Sequence, residues 1–340
     1  MEYKEVLEQA KNYIGPNCKV CPECNGLGCG NTMPGPGSKA PGNGAYDNWK
    51  AWRSIKLNMD VIAPSIQVDT SAELFGRKLE MPIITGPIGS IKWQYNPSDD
   101  VRDFNRSVAE ACDKLGILGS FGDGIQPEVY PDSLGFSANH GGVSIPIFNP
   151  YSDEETIEKI KYANKFKPAA MGLVIDSAGL PHLRQKSISA GTKTIEQLKT
   201  IKEACETPFL IKGIMTAKSA LKAIEAGADA IIVSNHGGRV LPDSPATAEV
   251  LPEIADAVDG RCKIIVDGGI RSGIDIFKAL ALGADAVMIC RPVLISWYGA
   301  GTEGIECLVN KLKDELSDTM YMCGARKLDD INREMIRFRF

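Results

Sequence analysis

Four short stretches concentrate groups that do acid–base and anion chemistry. In SNHGGR, residues 234–239, the imidazole of His236 stands three positions before the guanidinium of Arg239. Imidazole is the usual base near neutral pH and guanidinium the usual two-pronged carboxylate ligand, so one loop offers a base beside an anion anchor. In isolation the motif is weak, because a lone loop histidine is more often a surface group. Lys212 closes the apolar run PFLIKG, where a cation is costly to bury without a partner. It either enters a site or pairs with a carboxylate such as Asp267. VDGGIRSG then sets Asp267, Gly268, Gly269 and Arg271 ahead of a helical stretch, and CRP adds Arg291. Backbone amides of glycine turns, a helix N-terminus and cations together suit a phosphate.

Two other stretches compete for attention. NHGG occurs a second time, in ANHGGVS around His140, but Val143 stands where the arginine would be and the histidine precedes an apolar run. That demotes His140 to a coincidence of loop composition. CKVCPECNGLGC holds Cys18, Cys21, Cys24 and Cys29 in the pattern C-x2-C-x2-C-x4-C, with glycines that permit tight turns. Zinc, an iron–sulfur cluster, and metal-free thiols or a disulfide are the three readings. A cluster would give electrons an exit other than oxygen, whereas zinc would only tie down the segment.

The elements that must position these groups are eight apolar runs: MPIITGP, GILGSFGDG, VSIPIFN, AAMGLVIDS, PFLIKG, DAIIVSNHGG, KIIVDGG and DAVMICRP. Continuous apolar runs suit strands buried on both faces, which belong to parallel sheets with crossover helices. Most are followed by amphipathic stretches such as TAKSALKAIEAGA, so the pattern predicts an α/β fold, a TIM (β/α)8 barrel over residues 66–340. Residues 1–65 are expected to form an N-terminal helix and a Cys/Gly/Pro-rich lead segment outside the core. An open doubly wound sheet is the alternative, but ITGPIGS is a poor substitute for its glycine fingerprint. In a barrel the functional groups gather at strand C-termini. Those ends carry Thr85, Gly86, Ser120, Phe148, Asp176, Lys212, Ser234, His236, Asp267 and Arg291.

With 44% apolar residues the chain can build a large core, and a net charge of −5 with dispersed Lys and Arg argues against nucleic acid as a partner. No apolar run reaches spanning length, and the first residues are charged and amphipathic, unlike a signal peptide. A cytoplasmic protein with reduced thiols and no membrane association is the expectation.

From Phe209 to Leu294 the sequence resembles the FMN-dependent α-hydroxy acid oxidase and dehydrogenase family, which includes glycolate and lactate oxidases; the likeness is weaker before residue 208. The resemblance implies a barrel holding FMN at its strand C-termini. It implies Lys212 beside the flavin N1 and C2 carbonyl, and His236 as the base for the substrate hydroxyl or α carbon. Arg239 would hold the carboxylate, and Asp176 would orient and stabilise the imidazolium. Asp267, Gly268, Gly269, Arg271 and Arg291 would hold ribityl and phosphate. Ser234, Ser120 and the backbone of Thr85, Gly86 and Pro87 would contact the ring. A homo-oligomer, a small 2-hydroxy acid substrate and an electron acceptor of unstated kind complete the implied picture. Hydride and carbanion transfer both stay open.

Departures from that pattern gather on the substrate side. IPIF stands where the family reads like FQLY, so Pro146 would replace a glutamine and Phe148 a tyrosine hydroxyl at the substrate. Val174 replaces a threonine, Cys290 a glycine, and a second carboxylate-clamping arginine has Arg184 as its nearest candidate. Tyr13 and Tyr46 are candidates for an N-terminal tyrosine. CPECNGLG resembles half of the zinc-binding repeat of the Hsp40 chaperones, without the remaining pairs. Two other functions are set against hydroxy acid oxidation. One is non-redox or reductive FMN chemistry, as in type 2 isopentenyl diphosphate isomerases, a family that lacks the His236–Arg239 pair. The other is a catalytically idle FMN- or metal-binding module.

Overall fold

The computed structural model describes residues 1–29, 44–92, 94–124, 126–180 and 191–338. Its centre is eight parallel strands: β1 (Ile83–Thr85), β2 (Gly119–Gly122), β3 (Ser144–Phe148), β4 (Met171–Val174), β5 (Phe209–Ile214), β6 (Ala230–Val233), β7 (Lys263–Val266) and β8 (Ala286–Ile289). Each lies within one of the eight apolar runs, except that β5 extends one residue past PFLIKG. They pair in the order β1-β8-β7-β6-β5-β4-β3-β2. A parallel bridge between Ile84 and Leu118 closes the ring, with the Thr85 N–H donating to the Leu118 carbonyl at 3.0 Å. The fold is a TIM barrel.

Helices α1 (Tyr3–Ala10) and α2 (Gly44–Ser54) precede the barrel. After β1 to β8 in turn come α3 (Val101–Leu115), α4 (Val129–Asn139), α5 (Asp153–Asn164), α6 (Ile195–Glu203), α7 (Ala217–Glu225), α8 (Thr247–Val258), α9 (Gly273–Ala281) and α10 (Arg291–Met322). Local sequence sets their starts. The Asp100 carboxylate accepts from the Arg102 N–H ahead of α3, and Thr194 with Gln197, and Ser272 with Asp275, form reciprocal caps on α6 and α9.

Side chains on the strands divide into two buried layers. Ile84, Ile145, Ile147, Leu210, Ile232, Ile265 and Met288 pack in one cluster, and Ile83, Phe148, Leu173, Ile211, Val233, Val266 and Val287 in another with the surrounding helices. Burial on both faces is what makes each strand a continuous apolar run.

The lead segment is not outside this packing. Val6, Ala10, Ile14, Val20, Trp52 and Ile55 are all buried, most of them in the helix-layer core, and the Trp52 indole donates to the Gly268 carbonyl at 2.8 Å. Ile55–Leu57 pairs antiparallel with Ile336–Phe338, which ties the segment to the far end of the described chain. Among the described residues no helix is long and apolar enough to cross a membrane.

Candidate active site

The strand C-termini open into a cavity of about 350 Å3. His236 lines it, raised there by the loop after β6 in a backbone conformation with φ +56°. Left-handed backbone is uncommon for a residue other than glycine, and it clusters at functional sites where the surroundings enforce it. Its Nδ1 lies 3.2 Å from both oxygens of Asp176, in the tight turn Ile175–Gly179 that ends β4. The other ring nitrogen is thereby left for the cavity. Burial alone would raise the Asp176 carboxyl, but His236 and Lys212 outweigh it and hold it below the ordinary carboxylate value.

Lys212 is buried near the end of β5, its Nζ 2.9 Å from Asp267 Oδ2 and donating to Ser234 Oγ at 2.5 Å. The pairing with Asp267 is thus present, and so is access to the cavity that both residues line. Burial works against the ammonium, yet Asp267 and Asp176 overcome it and hold Lys212 above the usual lysine value. The ladder between β5 and β6 shifts between Lys212 and Ile214, leaving Gly213 as an unpaired residue at φ +103°. A Cβ on Gly213 would lie 2.6 Å from Asp176 Cβ, so the glycine lets the carboxylate that holds the histidine sit against the strand that bears the lysine.

Arg239 also lines the cavity. Its Nε is buried with no hydrogen-bond partner, and burial, the leading cause, pushes its guanidinium down to about 10. A buried cation in this condition suits an anionic partner. Asp267 Oδ1 is likewise buried without a partner and suits a hydroxyl donor. Arg291, Gly268 and Gly269 line the same cavity. The two glycines have a packing reason as well, since a Cβ on Gly269 would lie 2.4 Å from the Asn48 backbone of α2. Arg271 lines the cavity too, but its Nε donates to the Cys24 carbonyl at 2.5 Å, Nη1 to the Ile270 carbonyl at 2.6 Å, and Nη2 to Cys24 Sγ at 3.8 Å. It ties the cysteine segment to the barrel.

Several expected site residues lie off the cavity lining. Pro87 reaches the cavity, but Thr85, Gly86 and Ser120 do not: the Thr85 hydroxyl lies 3.9 Å from Cys112 Sγ of α3, and Ser120 Oγ donates to the Thr85 carbonyl at 2.5 Å. Ser234 and Asp176 stand one step back from the cavity, bonded to Lys212 and His236. Phe148 faces the helix layer, fully buried against Tyr130 with ring centroids 5.6 Å apart, and does not line the cavity. The strand alternates, so Ile147 and Asn149 face the cavity instead. Arg184 lies outside the described residues. His140 pairs with Asp113 at 2.9 Å on the protein surface, away from the cavity.

The sequence did not point to Asp123 or Asn149, which line the cavity at the ends of β2 and β3. Asn149 donates to Asp123 Oδ1 at 2.8 Å and accepts from Ser177 at 2.9 Å, and burial raises the Asp123 carboxyl above its ordinary value. Their positions just past strand ends were the available signal.

The metal expectation is not supported. Among the described residues, which include all four N-terminal cysteines, no three Cys, His, Asp or Glu side chains are gathered so as to hold a metal ion. Cys24 is drawn to Arg271 instead; burial opposes its thiolate, but Arg291 and Arg271 prevail and hold the thiol below its ordinary value. Burial pushes Cys18 up to about 11, and the Cys29 thiol turns to the Gly26 carbonyl.

Comparison with known proteins agrees with this geometry. The family model described as FMN-dependent dehydrogenase matches residues 37–126 and 150–338. A peroxisomal (S)-2-hydroxyacid oxidase of Arabidopsis thaliana is 31% identical over 325 residues, covering 86% of this chain and 87% of the relative. Glycolate oxidase of Spinacia oleracea is 31% identical over 336 residues, 86% of this chain and 89% of that one. An L-lactate oxidase of Lactobacillus jensenii is 47% identical over a shorter stretch of 137 residues, 40% of this chain and 34% of its own. Among solved structures, mandelate oxidase superposes with a TM-score of 0.78 at 25% identity, covering 99% of this chain and 97% of the other. The chain belongs to the family of FMN-dependent dehydrogenases, and FMN is its cofactor.

Proposed function

We propose that this protein oxidises a small 2-hydroxy acid to the 2-oxo acid. The observation that carries the reading is Arg239, a buried guanidinium with an unpartnered Nε in the same cavity as His236. An anionic substrate supplies the missing acceptor, and a bidentate carboxylate fits the fork. His236 then takes a proton from the hydroxyl or the α carbon on the ring nitrogen that faces the cavity. Asp176 fixes the opposite nitrogen and is held ionised to stabilise the imidazolium. Lys212 stays positively charged between Asp267 and the cavity and favours negative charge developing beside it.

The residues present fit FMN: Asp267 Oδ1 lacks a partner that a ribityl hydroxyl would provide, and Gly268, Gly269 and Arg291 offer amides and a cation to phosphate. FMN accepts the two electrons. Arg271 serves that site by anchoring its cover rather than by direct donation. The identity of the acid, the final electron acceptor and a homo-oligomeric assembly belong to the same proposal. The His236–Arg239 pair favours oxidation over isomerase chemistry or an idle module. Adding a panel of 2-hydroxy acids to the anaerobic FMN-loaded protein tests it. Bleaching of the flavin bands by one acid is expected, and a flavin that no acid reduces would overturn it.

A further inference from the structure

The loop bearing the base is held from outside the barrel. Asn48 of α2 is fully buried and donates through Nδ2 to Asn235 Oδ1 at 2.8 Å, while Asn235 Nδ2 returns a bond to Asn48 Oδ1 at 3.1 Å. Asn235 Oδ1 also accepts from the Gly237 N–H at 3.0 Å, and Asn235 Nδ2 reaches the Pro245 carbonyl at 3.0 Å. Asn48 Oδ1 takes a second bond from the Thr247 N–H at 3.0 Å, at the start of α8, and the Thr247 hydroxyl bonds the Asp267 carbonyl at 2.7 Å. The amide pair therefore fastens α2 to the loop after β6, and the Thr247 hydroxyl links the start of α8 to the loop after β7.

What this pair holds is an unusual backbone. His236, Gly237 and Gly238 are consecutive left-handed residues with φ +56°, +66° and +78°. For histidine that conformation is disfavoured, so something must enforce it. A buried, reciprocal amide pair is strong in a low-dielectric interior and specifies one geometry. Gly44, at the start of α2, packs against Gly238 so closely that a Cβ on Gly44 would lie 2.5 Å from Gly238 Cα.

We propose that Asn48 is a positioning residue for the base: through its amide pair with Asn235 it keeps the His236–Gly238 backbone left-handed and the imidazole against Asp176. The lead segment is thus part of the catalytic apparatus without touching substrate. This rests on His236 acting as the base, the reading given under Proposed function.

The test uses full-length, FMN-loaded protein, comparing wild type with Asn48→Ala and Asn48→Asp. Asp keeps the acceptor for Thr247 and for Asn235 Nδ2 but loses the donor to Asn235 Oδ1. Amide hydrogen exchange read by mass spectrometry should quicken roughly 10-fold or more in peptides spanning 234–239 while other barrel peptides stay protected. The flavin-reduction rate with the acid that reduces wild type should fall roughly 10- to 100-fold at unchanged FMN affinity, with the smaller effect in Asn48→Asp. Asn235→Ala combined with Asn48→Ala should cost no more than the worse single change. Exchange confined to wild-type rates in 234–239, exchange quickened across the whole barrel, or additive losses would each overturn the proposal. If Asn48→Ala does not fold, Asn48→Asp decides by the same exchange criterion. If no acid reduces wild type, the oxidase reading falls, and the exchange pattern still decides the role of Asn48.

Discussion

Arg239 and Asp176 say most about the chemistry, because each keeps a charge in a place where burial opposes it. Replacing Arg239 by Lys keeps a cation but loses the planar fork. Charged hydrogen bonds are worth about 1.5–3 kcal/mol each, so affinity for the acid should drop roughly 10- to 150-fold with FMN retained. A substrate titration of the FMN-loaded variant measures this, and unchanged affinity would remove Arg239 from the carboxylate. Asp176 is held below its ordinary value in the folded protein. Its ionisation therefore stabilises the fold above about pH 4, the ordinary value for Asp, and that contribution drains away as pH falls through the lower folded value. Asp176→Asn should flatten this acid limb in urea melts recorded from neutral pH downward. An acid limb as steep as wild type would mean that the carboxylate is not held by His236 and Lys212.

At the scale of elements, the strands were legible and their facing was not. All eight apolar runs hold a barrel strand, because strands covered on both faces leave long apolar signatures. The same continuity erases the period of two that would tell inside from outside. The resemblance placed Phe148 at the substrate and Thr85, Gly86 and Pro87 at the flavin; of these only Pro87 lines the cavity, with Ile147 and Asn149 there in place of Phe148. His236, Arg239 and Lys212 were legible because a charged group at the end of an apolar strand is costly to place there unless it meets a partner or a ligand. The bulge at Gly213 left no sequence signal beyond one glycine. Gly213→Ala forces a side chain into left-handed backbone 2.6 Å from Asp176 Cβ. A loss of about 1–3 kcal/mol in urea unfolding is expected, together with slower flavin reduction. Retention of both would show that the close approach is not needed.

Across the whole molecule, the lead segment and barrel share one core. Trp52 and Asn48 reach the β6 and β7 loops, while Cys24 occupies Arg271. The sequence hid this, since a Gly-, Pro- and Cys-rich stretch has no periodicity to show where it docks. Its cysteine spacing suggested a metal, but burial and two arginines give the thiols other surroundings. All of these parts converge on the cavity that His236 lines, where it is proposed to act as the base on a 2-hydroxy acid. The direct measurement is anaerobic flavin absorbance of wild type and His236→Ala, each loaded with FMN, as the acid that reduces wild type is added. Wild type should bleach, and His236→Ala should keep its FMN and bleach roughly 100- to 10,000-fold more slowly, the usual contribution of a positioned base. Equal bleaching rates in the two proteins would contradict the assignment.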